Sequence, residues 1–115
     1  MKRMQSENLY ELSFGSATAL DISMKRTYDD FSQFLKIRAE MNRFLVNLNC
    51  SHRTDSRGQQ IHFLFIALEH LDNIEKEIRI SDVDEEIIRL EKIYDKIRSL
   101  KKLILEYIKQ LSAQG

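Results

Sequence analysis

The sequence predicts an all-α protein: an elongated antiparallel three-helix bundle of the coiled-coil type, with a short N-terminal arm. The main observation is a run of apolar residues over 82–113 that step by three and four, which is the period of one helix face. A second is composition, because the chain has no proline and only three glycines to interrupt a helix. The apolar positions of this long face are Val83, Ile87, Leu90, Tyr94, Ile97, Leu100, Ile104, Tyr107 and Leu111.

The N-terminal segment, residues 1–17, differs from the rest of the chain. Its few apolar residues lie among Ser, Glu and Gly, and Gly15-Ser16-Ala17 is a weak helix breaker. We therefore predict that 1–17 is a flexible arm or a short docking helix. The bundle domain then covers 18–115.

The first predicted helix covers residues 18–48. Thr18 and Asp21 have the spacing of a helix N-terminus, and apolar residues recur along one face as far as Leu48. A polar turn follows over 49–55. The apolar face comprises Leu20, Met24, Phe31, Phe34, Leu35, Met41, Leu45 and Leu48.

The second predicted helix covers residues 57–80, and the third covers 82–113. Ser56 with Gln59 resembles a capping box, as does Ser81 with Asp84. The apolar face of the second helix is wider than a half-turn, which indicates contact with two helices and a middle position. We expect Leu68 and Leu100 in the core. The short connection between the second and third helices makes them antiparallel.

The lengths of the helices predict a binding surface near the C-terminus. The third helix is roughly 45 Å long at 1.5 Å per residue, and the second is about two turns shorter. Part of the third helix therefore lacks a cover within the bundle, which predicts either a homodimer through the first and third helices or a lid formed by the arm. The residues predicted to bind the partner there are Leu103, Leu105, Tyr107 and Ile108.

Two polar residues of the first helix extend this predicted surface. Arg38 and Asn42 both project from the apolar face, where a polar side chain sets register or partner choice. A hairpin about the 49–55 turn brings Arg38 level with residues 69–72. We therefore predict that Arg38 faces a carboxylate of the second helix.

Charge and cysteine content narrow the class of protein. Eighteen Lys and Arg balance eighteen Asp and Glu, so the net charge is zero, which argues against nucleic-acid and anionic-membrane binding. The longest apolar run falls short of the ~20 residues of a membrane span, and no signal peptide is apparent. The single cysteine, Cys50, fits a reducing compartment. These features predict a soluble cytoplasmic protein.

No motif in the chain predicts a metal site or a bound cofactor. His62 and His70 are eight residues apart, whereas zinc ligands on one helix are separated by three or four. Three scattered glycines do not form a phosphate-binding loop. We therefore predict no metal, no cofactor and no small-molecule substrate. The predicted function is a non-enzymatic interaction module, such as an adaptor, regulator or small chaperone, that binds another protein or itself.

One short motif supports an alternative function. Arg57-Gly-Gln-Gln-Ile-His62 resembles the Arg-(four to six residues)-His motif of the HEPN superfamily, whose all-helical domains include metal-independent ribonucleases. The resemblance covers six residues. It implies that Arg57 would hold phosphate and that His62 would act in acid–base chemistry.

Overall fold

The computed structural model describes residues 6–28, 31–81 and 83–113. Within these residues the chain forms five helices and no strand. The helices are α1 (Ser6–Thr27), α2 (Phe31–Arg53), α3 (Arg57–Ile80), α4 (Glu85–Leu90) and α5 (Ile93–Ala113). The predicted all-α class is confirmed. The predicted three long helices are replaced by four long helices and one short one.

The four long helices form a ring in which neighbours are antiparallel. α2 packs mainly against α3, α1 mainly against α5, and the α3–α5 and α1–α2 contacts complete the ring. Side-chain pairs fix the register: the Tyr10 hydroxyl donates to Asn49 Oδ1 at 2.7 Å, and Arg79 lies over the Tyr94 ring at 5.5 Å. The described chain measures 45 × 27 × 17 Å along its principal axes. Four helices can surround one core with the same antiparallel geometry that was predicted for three.

The core runs the length of the ring. Every long helix supplies buried apolar side chains at spacings of three and four. Leu100 is fully buried, as predicted, whereas Leu68 is partly buried against the edge of the core. The largest fully buried side chains include Phe44, Leu20, Met24, Leu48, Leu64, Leu71 and Ile74.

The segment predicted to be a flexible arm or a short docking helix is helical from Ser6 onward, but it is part of the long helix α1. Residues 1–5 lie outside the described residues, but α1 begins at Ser6 and passes through Gly15 without interruption. Leu9, Ala17 and Leu20 are buried on one face of this helix, which packs against α5. Tertiary packing of an amphipathic face stabilises a helix more than one glycine destabilises it, since a glycine costs only about 1 kcal/mol.

The single helix predicted over 18–48 is two helices. α1 ends at Thr27 and α2 begins at Phe31. The sequence Thr-Tyr-Asp-Asp over 27–30 consists of weak helix formers, and it falls where the predicted apolar face jumps from Met24 to Phe31. Tyr28 is buried at this turn, and its hydroxyl lies 3.0 Å from Ser81 Oγ at the end of α3.

The helix predicted over 57–80 is confirmed with both of its bounds. The Ser56 side chain accepts a hydrogen bond from the backbone N–H of Gln59 at 3.4 Å, which is the predicted cap. Ala67 and Ile74, which widen the apolar face, are fully buried. α3 contacts both α2 and α5, as the wide face predicted, but in a ring every long helix has two neighbours.

The helix predicted over 82–113 is broken after Leu90. Its predicted first residue, 82, lies outside the described residues, and α4 is capped by Asp84, whose side chain accepts from Glu86 N–H at 2.9 Å. Lys92 has a φ of 54°, the left-handed conformation that ends α4 before α5 begins. Ser81 ends α3 and does not start the next helix.

The physical reason for the break is the reach of the connection between α3 and α5. The Arg79–Tyr94 contact puts the end of α3 level with Tyr94. In an unbroken helix Val83 would lie about 16 Å beyond that level, at 1.5 Å per residue. The three Cα steps from Ile80 to Val83 cover at most about 11 Å. A helix that starts at Val83 cannot connect, so the chain folds α4 back.

Candidate functional site

The predicted partner-binding residues of the C-terminal helix are divided between core and surface. Tyr107 and Ile108 are buried inside the chain, because α1 covers this part of α5. Burial raises the pKa of the Tyr107 hydroxyl, and a hydrogen bond with Ser51 opposes the shift. Leu103 is partly buried, and Leu105 is 53% exposed. Of the four, only Leu105 is largely exposed.

Arg38 and Asn42 are both exposed on α2. They do not form one surface with Leu105, since α2 and α5 occupy opposite corners of the ring. Among the described residues no ion pair joins Arg38 to Glu69 or Asp72; Asp72 instead pairs with Lys101 of α5 at 2.6 Å. The predicted level of the hairpin is nearly right, but the side chain that faces α3 is Glu40.

Glu40 forms a polar cluster with two residues of α3. His70 Nδ1 donates to Glu40 Oε2 at 2.7 Å, and Asn73 Nδ2 donates to the same oxygen at 3.2 Å. Burial by itself raises the pKa of Glu40, but these hydrogen bonds outweigh it and hold the pKa below the ordinary value. The cluster fixes α2 against α3.

The residues of the ribonuclease-like motif lie at the start of α3. Arg57 is the first residue of the helix, His62 lies in its second turn, and both are exposed. Side chains five residues apart on a regular helix point about 140° away from each other, so the pair does not converge on one side of α3. Among the described residues no group of three or more His, Cys, Asp or Glu has the geometry to hold a metal ion.

A cleft of about 770 Å³ opens at the other end of the bundle, where α3 ends and α5 begins. We call this region the open end: the last residues of α3, all of α4, and residues 91–95. Ile78, Ile88 and Ile93, which are buried, contribute apolar surface to the cleft. The Arg79 guanidinium over the Tyr94 ring forms one wall, and α4 forms the other.

The charges that line the cleft are of both signs. Asp84, Glu85, Glu86 and Asp95 are present together with Arg79, Arg89 and Lys92. Several are paired locally: Arg89 with Glu86 at 2.8 Å, Arg79 with Glu75 at 2.6 Å, and Arg98 with Asp95 at 3.2 Å. No single sign dominates the lining, so the cleft lacks the concentrated positive charge that a phosphate or nucleic acid requires.

Two strongly exposed apolar side chains are next in sequence to residues that line this cleft. Ile80, which follows the lining residue Arg79, is 73% exposed, and Leu90, which follows Arg89, is 71% exposed. They are the two most exposed large apolar side chains among the described residues, and Ile87 of α4 is also exposed. Water therefore covers apolar surface beside a concave opening, which is the usual arrangement of a binding site.

The sequence interpretation missed this site because it assigned Ile87 and Leu90 to the buried face of one long helix. The phase of that face is correct from Ile97 onward, whereas Ile93 is buried in place of the predicted Tyr94. In α4, however, Ile88 is the buried residue. The connection between α3 and α5 is short. That shortness excludes a continuous helix from Val83 only when the register of the two helices is known, and the register comes from the structure.

Comparison with known proteins identifies no relative. No protein-family model, no curated protein and no solved structure matches the chain. Among the described helices, none combines the length and apolar character that crossing a membrane requires.

Proposed function

We propose that the chain is a non-enzymatic protein-interaction module that binds another protein through the open end of its bundle. The observation that carries this proposal is the placement of Ile80 and Leu90, both more than two-thirds exposed, beside the cleft between α3, α4 and α5. An adaptor, a regulator or a small chaperone would present such a surface.

The character of the open end favours a peptide or helix segment as the bound group. The apolar flank would bury leucine-like or aromatic side chains of a partner, at roughly 25 cal/mol per Å² of apolar surface. The mixed charges of the cleft would pair with a partner segment that carries both signs, and such pairs contribute specificity more than affinity. Amphipathic helices that dock into grooves have this composition.

The location differs from the one the sequence predicted. Uncovered apolar surface near Leu103–Leu111 was the argument for a homodimer, and α1 covers most of that surface. A second copy of the chain remains a candidate partner, but the two most exposed of the large apolar side chains among the described residues, Ile80 and Leu90, lie at the open end. The chain's zero net charge adds little repulsion to either kind of association.

The test is selection of binding peptides from a displayed random library against the full chain, followed by affinity measurements with variants. Leu90→Glu places a charge on the exposed flank and should weaken the selected peptides at least tenfold. Because Leu90 is 71% exposed, the fold should tolerate the change. Circular dichroism of each variant checks that the helices remain.

The matched control is Leu105→Glu, the same substitution at an exposed leucine of the site predicted from sequence. It should leave peptide affinity unchanged. If Leu105→Glu removes binding while Leu90→Glu does not, the interaction surface is on the α3–α5 face and the proposal is wrong. Light scattering of the full chain alone distinguishes a foreign partner from a second copy.

A further inference from the structure

The region from α4 to α5 combines two helical patterns in one sequence. Leu90 lies four residues before Tyr94 and seven before Ile97, so in a continuous helix all three share one face. In the structure Ile97 is buried, whereas Leu90 is exposed and Ile88 takes a place in the core. The break thus replaces one apolar register with another.

The residue that makes the break is in a strained conformation. Lys92 has a φ of 54°, where a side chain with a Cβ is less stable than glycine. The position after a helix end usually carries glycine for this reason. Backbone held in such a conformation is found preferentially at switch and binding regions.

α4 makes few packing contacts with the rest of the bundle. α4 packs mainly against α5, and the cleft separates it from the end of α3. Its single buried side chain is Ile88. Moving α4 away from the bundle therefore disturbs one buried side chain, and α1, α2 and α3 keep their main contacts.

The connection to α3 permits a straight helix, but only from Glu85 onward. A straight α4–α5 helix would put Glu85 about 13 Å beyond the level of Tyr94 and one helix spacing to the side, a distance of roughly 16 Å from Ile80. The five Cα steps from Ile80 to Glu85 reach at most about 18 Å. The chain can therefore span the gap when nearly extended.

We propose that α4 and α5 form a two-state element, in which a bent form with Lys92 left-handed exchanges with a straight helix over 85–113. The straight form relieves the backbone strain at Lys92 and removes the Ile88 side chain from the core. It also extends the apolar face of α5 by Ile87 and Leu90, past the end of α3. That projecting face would dock a partner, so a ligand of the straight form would shift the population towards it.

The test is a distance measurement by electron paramagnetic resonance on the whole chain, with spin labels at Glu85→Cys and Lys102→Cys and with Cys50→Ser to remove the native thiol. Seventeen residues of straight helix separate the labelled Cα atoms by about 25 Å, and the bent form makes this distance shorter. The chain without further changes should show a main short distance and a minor long one.

Two substitutions at Lys92 should move the populations in opposite directions. Lys92→Ala favours the straight helix and disfavours the left-handed conformation, whereas Lys92→Gly does the reverse. The ratio of long to short distances should differ about ten- to thirtyfold between the two variants. Two glycines inserted after Val83 lengthen the connection and should also increase the long distance.

The proposal is overturned if all four chains show the same single short distance, or if Lys92→Ala and Lys92→Gly change the distribution in the same direction. The latter would indicate a general loosening of α4. Circular dichroism confirms that each labelled chain is helical before its distances are compared. No partner takes part in this measurement, so its outcome is independent of peptide binding at the open end.

Discussion

The two ends of the bundle are closed in different ways. At the end that contains Tyr107, which we call the closed end, α1 covers α5, Tyr10 stacks on His52 at 3.9 Å between ring centroids, and the Ser51 hydroxyl donates to the carbonyl of Gln60. At the open end a cleft separates α4 from α3, and the flanking Ile80 and Leu90 face water.

This difference follows from the lengths of the helices and their connections. At the closed end α1 supplies a fourth long helix, so apolar positions of α5 as far as Leu111 have a partner within the chain. At the open end the short connection after α3 cannot reach a helix that starts at Val83, and the chain breaks at Lys92. The chain folds back there as a six-residue helix that is too short to cover its own apolar residues. Ile80, Ile87 and Leu90 are therefore exposed where topology limits the chain.

The largest expected effect concerns the cover of the closed end. Deletion of residues 1–17 removes Leu9 and the other buried side chains of the first half of α1, and it exposes apolar surface of α5. At roughly 25 cal/mol per Å², a few hundred Å² corresponds to several kcal/mol of lost stability or of drive for association. The truncated chain should unfold at lower urea concentration and have a larger solution mass than the full chain.

Light scattering and urea titration of both chains check this expectation. Leu12→Ala is the control, because Leu12 lies in the deleted segment but is exposed, and it should change neither quantity. Equal mass and equal stability of the full and truncated chains would show that α1 does not close this end.

The second prediction compares a leucine of the shared core with one at the open end. Leu100→Ala should cost about 2–5 kcal/mol of unfolding free energy, since Leu100 is fully buried in the core. Leu90→Ala, the same substitution at an exposed site, should stay within about 0.5 kcal/mol of the original chain. Similar costs for the two, measured by urea denaturation, would mean that Leu90 is buried in solution.

The third prediction uses the Glu40 cluster between α2 and α3. The pKa of Glu40 is lower in the folded chain than its ordinary value of 4.5, so folding favours the charged carboxylate. Its stabilising contribution is present above pH 4.5 and is lost as the pH falls through the folded-state pKa. Glu40→Gln should therefore cost about 1.5–3 kcal/mol at pH 7, the range for a hydrogen bond to a charged group.

The cost of Glu40→Gln should shrink as the pH is lowered past that range, which urea denaturation at several pH values measures. Glu86→Gln is the control, since Glu86 pairs with Arg89 on the exposed surface of α4 and such pairs contribute little. If the loss of unfolding free energy in Glu40→Gln does not depend on pH, the loss comes from side-chain packing and not from the charge of the carboxylate.

The smallest expected effect is a gain in stability at the open end. Lys92→Gly removes the strain of a left-handed lysine and should stabilise the chain by about 0.5–1 kcal/mol. Lys102→Gly, the same change at an exposed position inside α5, should destabilise it by a similar amount. Stability changes of opposite sign for the two variants, measured by thermal or urea denaturation, support backbone strain at Lys92. Two losses of stability of equal size contradict it.

Local patterns in the sequence were sufficient for part of this structure. The cap at Ser56 and the wide apolar face predicted α3 with both of its bounds, and the period from Ile97 to Leu111 predicted most of the buried face of α5. Such features depend on residues within one or two turns of each other, and their physical causes are local hydrogen bonds and helix period.

The candidate site was not among the predicted features, and the predicted site was largely occupied by the chain itself. Tyr107 and Ile108 were correctly identified as apolar positions that need a cover, but the cover is α1. A one-dimensional pattern shows that a face is apolar without showing which segment packs on it. Arg38 illustrates the same point, because a register displaced by two residues puts Glu40 against His70 instead.

The sequence by itself determined that this protein is helical, which faces of its helices are apolar and where α3 begins and ends. Only the tertiary structure decided that residues 6–17 complete a fourth helix, that a break at Lys92 separates α4 from α5, and that Leu90 faces water. Period and capping are properties of neighbouring residues. Coverage and chain reach depend on the distance between helices that are far apart in sequence, and that distance exists only once the bundle has assembled.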